Sequence, residues 1–164
     1  MIELNLVGVR VELPSNQPIV LLREKEGERY LPIWIGAMEA TAIAFALQGI
    51  VTQRPMTHDL LKNVLEEIQV HVERIVITEL REGTFYAVIH MSRNGSRYEV
   101  SSRPSDAIAL AVRVNVPIFA QEEVLTEASI VIKDDEDEEV EKFREFLEQV
   151  NPEDFQVNPE DLGG

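Results

Sequence analysis

The stretch RYLPIWIGAMEATAIAFALQG, residues 29–49, decides the fold. Arg29 to Ile35 reads as a strand that Gly36 ends. Ala37 to Gln48 consists almost wholly of Ala, Met, Ile, Phe and Leu, and Gly49 supplies the stop of a helix. A helix apolar on every side is expected to be buried. Tyr30 and Trp34 read as core aromatics. Glu39 is the only charge in this helix. It either complements the positive end of the helix dipole or points into a site at the strand–Gly–helix junction, where open α/β sheets place ligands.

Upstream, Ile2, Leu4 and Leu6 alternate, and then the phase slips to Val7, Val9, Val11 and Leu13. Gly8 sits at the slip, as at a β-bulge. Pro14 to Pro18 is a turn, Ile19 to Leu22 a short buried run, and Glu26-Gly27 turns the chain back. Downstream, Thr57 caps a helix of roughly residues 58–68, with Leu60, Leu61, Val64, Leu65 and Ile68 on one face. Residues 70–80 and 84–91 alternate as strands about Glu82-Gly83. Asn94-Gly95 is a hairpin signal leading to Arg97–Val100. Ser105 opens a third helix that runs to about Val114 and ends at Asn115. Val116 to Phe119 is extended, and Gln121 to Glu127 adds a helical turn. The expectation is an α+β domain over residues 1–132: a mixed, largely antiparallel sheet with a buried Ala-rich helix and two further helices.

Residues 133–164 differ in character. Asp134 to Glu139 is six consecutive acids, a solvated linker. Val140, Phe143, Phe146, Leu147 and Val150 then make the stripe of a C-terminal amphipathic helix, which marks a contact within an oligomer or with a protein partner. Val150 to Phe155 recurs as Val157 to Leu162. The net charge of −15 is concentrated here, with 13 acids against three bases in residues 133–164. The body is only mildly acidic and shows no basic patch of the kind non-specific nucleic-acid binders carry. Phosphate recognition therefore rests on a few focused arginines or on a metal. The chain has no cysteine, which excludes disulfides and thiol catalysis. It shows neither a signal peptide nor an apolar run long enough to span a bilayer, so the expected location is cytoplasmic and away from membranes.

One device occurs twice. Arg54-Pro55-Met56-Thr57-His58-Asp59 and Arg103-Pro104-Ser105-Asp106 each put an arginine and a proline before a hydroxyl and an acid, and each runs into an apolar helix. The hydroxyl suits an N-cap and the acid suits the first turn. Proline keeps the preceding residue extended and so directs the arginine. Two such helix mouths, brought together, form a polar site able to take an anion such as phosphate. For Arg103 and Asp106 the structural reading is a bidentate bridge that seats the proline turn. Arg113 reads as a surface or C-terminal helix charge. His71 and His90 read as strand-face residues, since neither has a neighbour at metal-ligand spacing.

Four blocks also resemble one family: Leu31 to Gly36 with Glu39-Ala40, Arg54 to Leu61, Gly83 to Ala87, and Ser102 to Ala111. Together, in this order across residues 2–132, they are similar to the bifunctional nuclease domain family, and the acidic linker and C-terminal helix look like those of its bacterial members. The resemblance implies an α+β domain, usually a homo-oligomer, with nuclease activity on DNA and RNA. It implies no agreed set of catalytic residues. The residues themselves suggest one: Glu39, Asp59 and Asp106 holding Mg²⁺ or Mn²⁺, His58 activating water, and Arg54 and Arg103 clamping the phosphate. The rival readings are a non-enzymatic oligomeric interaction module, with the Arg–Pro motifs as structural pins, and an anion- or nucleotide-binding module.

Overall fold

The computed structural model describes residues 1–12 and 15–131. The acidic linker and the C-terminal helix expected after residue 132 lie outside the described residues. The chain forms β1 (Ile2–Glu12), β2 (Gln17–Glu24), β3 (Arg29–Trp34), α1 (Ala37–Leu47), α2 (Thr57–Glu67), β4 (His71–Arg81), β5 (Thr84–Arg93), β6 (Ser96–Ser102), α3 (Pro104–Val114), β7 (Ile118–Ala120), α4 (Glu122–Ala128) and β8 (Ile130–Val131). Among the described residues no helix is long and apolar enough to cross a membrane.

The eight strands make one sheet in the order β6-β5-β4-β7-β1-β2-β3-β8. Every pairing is antiparallel except β4 with β7. This is the expected α+β architecture with a mixed, largely antiparallel sheet. The phase slip is a real irregularity, because the β1–β2 register shifts between Leu6 and Gly8. An extra residue there returns the apolar side chains of β1 to the core face. Asn94 and Gly95 both have positive φ, as do Glu82 and Gly83, and each pair turns a tight hairpin. Asn115 ends α3 in the left-handed region, at φ 57° and ψ 51°.

The core lies between the sheet and α1, α3 and α4. It joins Leu22, Leu31 and Ile33 of the sheet to Ala40 and Ile43 of α1, to Ile108 and Leu110 of α3, and to Val124 and Leu125 of α4. The α1 and α3 helices pack against each other, and both bury alanines: Ala40, Ala42 and Ala44 in α1, and Ala107, Ala109 and Ala111 in α3. Arg29 ties the end of the sheet to α4 through paired bonds to Glu122 at 2.8 and 2.9 Å, and its Nε reaches Glu24 at 2.7 Å.

The α1 helix is the expected buried helix through its middle, where Ala40, Ala42, Ile43 and Ala44 are buried, while Met38 in its first turn is 82% exposed. One apolar expectation is corrected. Trp34 is not a core residue but is half exposed. Its neighbours Leu31, Ile33 and Ile35 take the core face, and strand alternation puts Trp34 on the other. The α2 helix differs again, since His58 is its one buried residue and Leu60, Leu61, Val64 and Ile68 all remain exposed.

Candidate functional site

The caps sit one or two residues earlier than the hydroxyls suggested. Met56, not Thr57, is the N-cap of α2, and the Asp59 side chain reaches back so that its Oδ2 accepts the Met56 N–H at 3.0 Å. Arg103, not Ser105, is the N-cap of α3, with Pro104 as the first helical residue. Proline fits there because its missing N–H would have no partner in the first turn. Ser105 is consequently buried inside that turn.

The two Arg–Pro motifs converge. His58 Nε2 lies 2.9 Å from Asp106 Oδ1 across 48 residues of sequence. Arg103 grips Asp106 with two bonds, from Nε to Oδ2 at 2.9 Å and from Nη2 to Oδ1 at 3.1 Å. The same Nη2 donates to Glu39 Oε1 at 2.8 Å. The first turns of α1, α2 and α3 are thus joined in one chain: Glu39, Arg103, Asp106, His58. Glu39 Oε2 folds back over Gly36, where a Cβ would collide with it, so the bare glycine lets this carboxylate lie down toward Arg103.

Exposure varies steeply along the chain. The Arg103 side chain is 64% exposed, whereas His58 is 8% exposed. The guanidinium is therefore offered to solvent while the imidazole is held beneath. Burial by itself would raise the Asp106 carboxyl, but hydrogen bonds from Arg103 and His58 outweigh it and hold the group below its ordinary value. An ionised carboxylate only accepts. His58 Nε2 therefore carries the hydrogen it shares with Asp106, and Nδ1 is left as the ring atom able to exchange a proton.

Asp59, placed beside His58 by sequence, joins a second pair. Arg113 Nε donates to Asp59 Oδ1 at 2.7 Å, Nη1 to the Ala109 carbonyl at 2.9 Å, and Nη2 to the Ala42 carbonyl at 3.0 Å. Its side chain is only 7% exposed, so Arg113 is a buried pin through α1, α2 and α3 and not a surface charge. The sequence carried one signal for it: Arg113 follows Asp106 by seven residues within a run of alanine and branched aliphatics, on a helix face that points inward. Burial pushes the Asp59 carboxyl up, and the Arg113 and Met56 hydrogen bonds override this and lower it. Arg54 is exposed and makes no ion pair among the described residues, so it stands apart from the Arg103 network.

Glu39, Asp59 and Asp106, the residues expected to hold Mg²⁺ or Mn²⁺, are each engaged by an arginine in this arrangement. Among the described residues no group of three or more His, Asp or Glu side chains is placed to hold a metal ion. Both oxygens of Asp59 and of Asp106 already accept hydrogen bonds from arginine, histidine or backbone.

The lowered Asp59 and Asp106 carboxyls predict acid sensitivity with a definite sign. A depressed folded-state value means that the unfolded chain takes up the proton first as pH falls. The stability these groups contribute is complete above the ordinary carboxylate range, ~4, and declines below it until their depressed values are passed. The urea midpoint should be level from pH 7 to about 5 and drop below about 4. The Asp59→Asn, Asp106→Asn double variant should show a shallower drop. An identical acid profile in wild type and variant would contradict the assignment.

Comparison with known proteins agrees with this architecture. Residues 20–133 match the family model described as bifunctional nuclease domain. An uncharacterized protein of Mycobacterium tuberculosis is 48% identical over 164 residues, covering 94% of this chain and 98% of its own length. Bifunctional nuclease 2 of Oryza sativa subsp. japonica is 28% identical over 118 residues, 70% of this chain and 36% of its own length. Bifunctional nuclease 2 of Arabidopsis thaliana is 30% identical over 112 residues, 65% of this chain and 34% of its own length. The chain spans about a third of the length of these plant relatives. The match runs from within β2 through β8, including all six residues of the two ion-pair systems, and the chain belongs to the bifunctional nuclease domain family.

Proposed function

We propose that this chain hydrolyses phosphodiester bonds of nucleic acid at the Glu39–Arg103–Asp106–His58 cluster. The observation that carries the reading is the exposed Arg103 guanidinium, held rigidly by Asp106 and Glu39 beside an aspartate-oriented histidine. In this scheme Arg103 binds the phosphate and stabilises the charge that builds on its oxygens. His58 Nδ1 takes the proton of the attacking water as its oxygen bonds to phosphorus and the bond from phosphorus to the leaving ester oxygen breaks, that oxygen taking a proton from solvent, and Asp106 keeps the ring in the tautomer that permits this. Glu39 restrains Arg103 until an anion competes for it. The plant relatives' printed name supports nucleic acid as the substrate class. The exposed α2 stripe of Leu60, Leu61, Val64 and Ile68 supports self-association as the native state.

The test is cleavage of end-labelled single-stranded DNA and RNA by the purified full chain, run with Mg²⁺, with Mn²⁺ and with chelator. The Asp106→Asn variant goes through the same purification beside it. Cleavage by the wild type that is lost in the folded variant supports the proposal, and the three ionic conditions read metal dependence directly. Equal cleavage by both proteins would place any activity elsewhere or in a contaminant. No cleavage by either would leave the cluster as an anion-binding site.

A further inference from the structure

The two ends of the sheet are finished differently. β8 closes one end with two residues, whereas β6 closes the other with seven, Ser96–Ser102. The register of β6 on β5 is unbroken from Arg93↔Ser96 to Ala87↔Ser102. Among the described residues its outer row of backbone N–H and C=O groups has no partner strand. Proteins blunt such an edge by keeping it short, by placing lysine or proline on it, or by bulging it. β8 is short. β6 has no lysine, no proline and no bulge, although β1–β2 and β4–β5 both carry register shifts.

Both faces of β6 are open as well, since Ser96 through Ser101 are all exposed. Pairing with Met91 and Ile89 puts Tyr98 and Val100 on the face that the helices cover further in, yet they are 48% and 46% exposed. Arg97 and Glu99 alternate onto the other face. The Glu99 side chain is 69% exposed, with its Oε1 3.5 Å from His90 Nδ1. Residues 93–102 carry two arginines and one glutamate, so this edge is free of the acidic excess that gives the whole chain a charge of −15. A second copy of the chain supplies the complement. Two such edges pair antiparallel about a two-fold axis normal to the sheet, which keeps each face on its own side. Directly opposite residues then share a face, and the pairing centres on a single residue. Centred on Arg97 it opposes two arginines, and centred on Glu99 it opposes two glutamates. Centred on Tyr98 it sets Arg97 opposite the partner's Glu99, twice by symmetry, and Tyr98 beside the partner's Tyr98. Opposite charges and aromatic pairs favour an antiparallel ladder, and like charges oppose it.

We propose that β6 is the edge through which two copies of this chain join, with Ser96–Ser102 of each paired antiparallel about Tyr98 into one continuous sheet. This goes beyond the nuclease reading and stands without it. The edge is also a different surface from the apolar stripe of α2. The test uses the full chain, which has no cysteine of its own. Directly opposite residues of an antiparallel pair have Cα atoms ~4.5–5.5 Å apart, within reach of a disulfide. Tyr98→Cys should therefore form a covalent dimer under mild oxidation. Val100→Cys should not, because Val100 would face the partner's Ser96 and the two thiols would be offset by four residues, about 13 Å along the strand. Sedimentation at low ionic strength reads the charge pairing. Arg97→Glu and Glu99→Arg should each weaken self-association on the order of 10- to 100-fold, because each opposes two like-charge pairs. Mixed in equal amounts, the two variants should associate as the wild type does, since an acidic edge then meets a basic one. The double exchange Arg97→Glu, Glu99→Arg should likewise restore association.

Restoration by mixing or by double exchange is a result that damage to the fold would not produce. Equal cross-linking of Tyr98→Cys and Val100→Cys would overturn the proposal. Self-association left unchanged in both single charge variants would overturn it too, by assigning the contact to another surface such as the α2 stripe. A wild type that stays monomeric at micromolar concentration would also overturn it, leaving the β6 edge to an extended peptide of another protein. Should Tyr98→Cys fail to fold, the charge variants still decide.

Discussion

Asp106→Asn is expected to lower phosphodiester hydrolysis by about 10²- to 10⁴-fold, the range attached to a positioned acid–base group, while the protein remains folded. The asparagine has nearly the volume of the aspartate, so the first turn of α3 keeps its packing. What changes is charge and hydrogen-bond polarity. The carboxylate accepts from His58 and twice from Arg103. An amide offers one oxygen and one NH₂ group. If the oxygen faces Arg103, the NH₂ faces His58 Nε2 and imposes the opposite ring tautomer, leaving Nδ1 protonated and unable to accept from water. If the oxygen faces His58, Arg103 meets an N–H donor and its bidentate grip is lost. Either way one partner of Asp106 is displaced. The measurement is single-turnover cleavage of labelled oligonucleotide, with thermal unfolding as the control for fold. Full activity in a folded Asp106→Asn protein would remove His58 and Asp106 from the mechanism.

Arg113→Met is expected to be the most destabilising change among the polar residues of the domain, by about 2–4 kcal/mol. Breaking a fully buried ion pair costs about 3–5 kcal/mol. Because the Asp59 side chain is 37% exposed, water screens part of the loss. Methionine nearly fills the volume of the arginine stem, so the effect measures lost polar contacts more than a cavity. Those contacts are three: Asp59, the Ala109 carbonyl and the Ala42 carbonyl. They matter most to α2, whose only buried residue is His58. Without Arg113 the α2 N-terminus loses its main polar tie to α1 and α3, and His58 drifts from Asp106. Thermal unfolding should begin roughly 10 °C lower. In a double-mutant cycle with Asp59→Asn the two losses should fail to add, since each variant removes the same pair. Additive losses would mean that Arg113 acts through its carbonyl contacts alone.

Much of this was legible in the amino-acid order, and the reason is local. The Gly8 phase slip, the Asn94-Gly95 hairpin, the Asn115 stop and the extents of α1, α2 and α3 follow from periodicity, backbone preferences and proline chemistry within a few residues. The repeated Arg–Pro device likewise pointed to two helix starts with a shared purpose, and His58 does meet Asp106. The α3 cap was displaced because Pro104 takes the first helical position and makes Arg103 the cap, and the α2 cap because the hydroxyl of Thr57 competes with the acid two residues behind it. At α2 that acid, Asp59, reached back to Met56 instead.

What the sequence determined by itself was therefore the elements and the residue types at their ends: strands, three helix mouths, and an acid, arginine and histidine set there. Tertiary structure alone decided the partnerships. Arg103 with Glu39 spans 64 residues and Arg113 with Asp59 spans 54, and both depend on how α1, α2 and α3 cross. It also decided that Arg54 stays outside the network, that Arg113 is buried, and that Trp34 faces solvent. Periodicity tells which side chains share a face of one helix or strand. Whether that face meets a helix, an ion or water is set by the rest of the chain, since burial and ion pairing are properties of the packed sheet and its helices together.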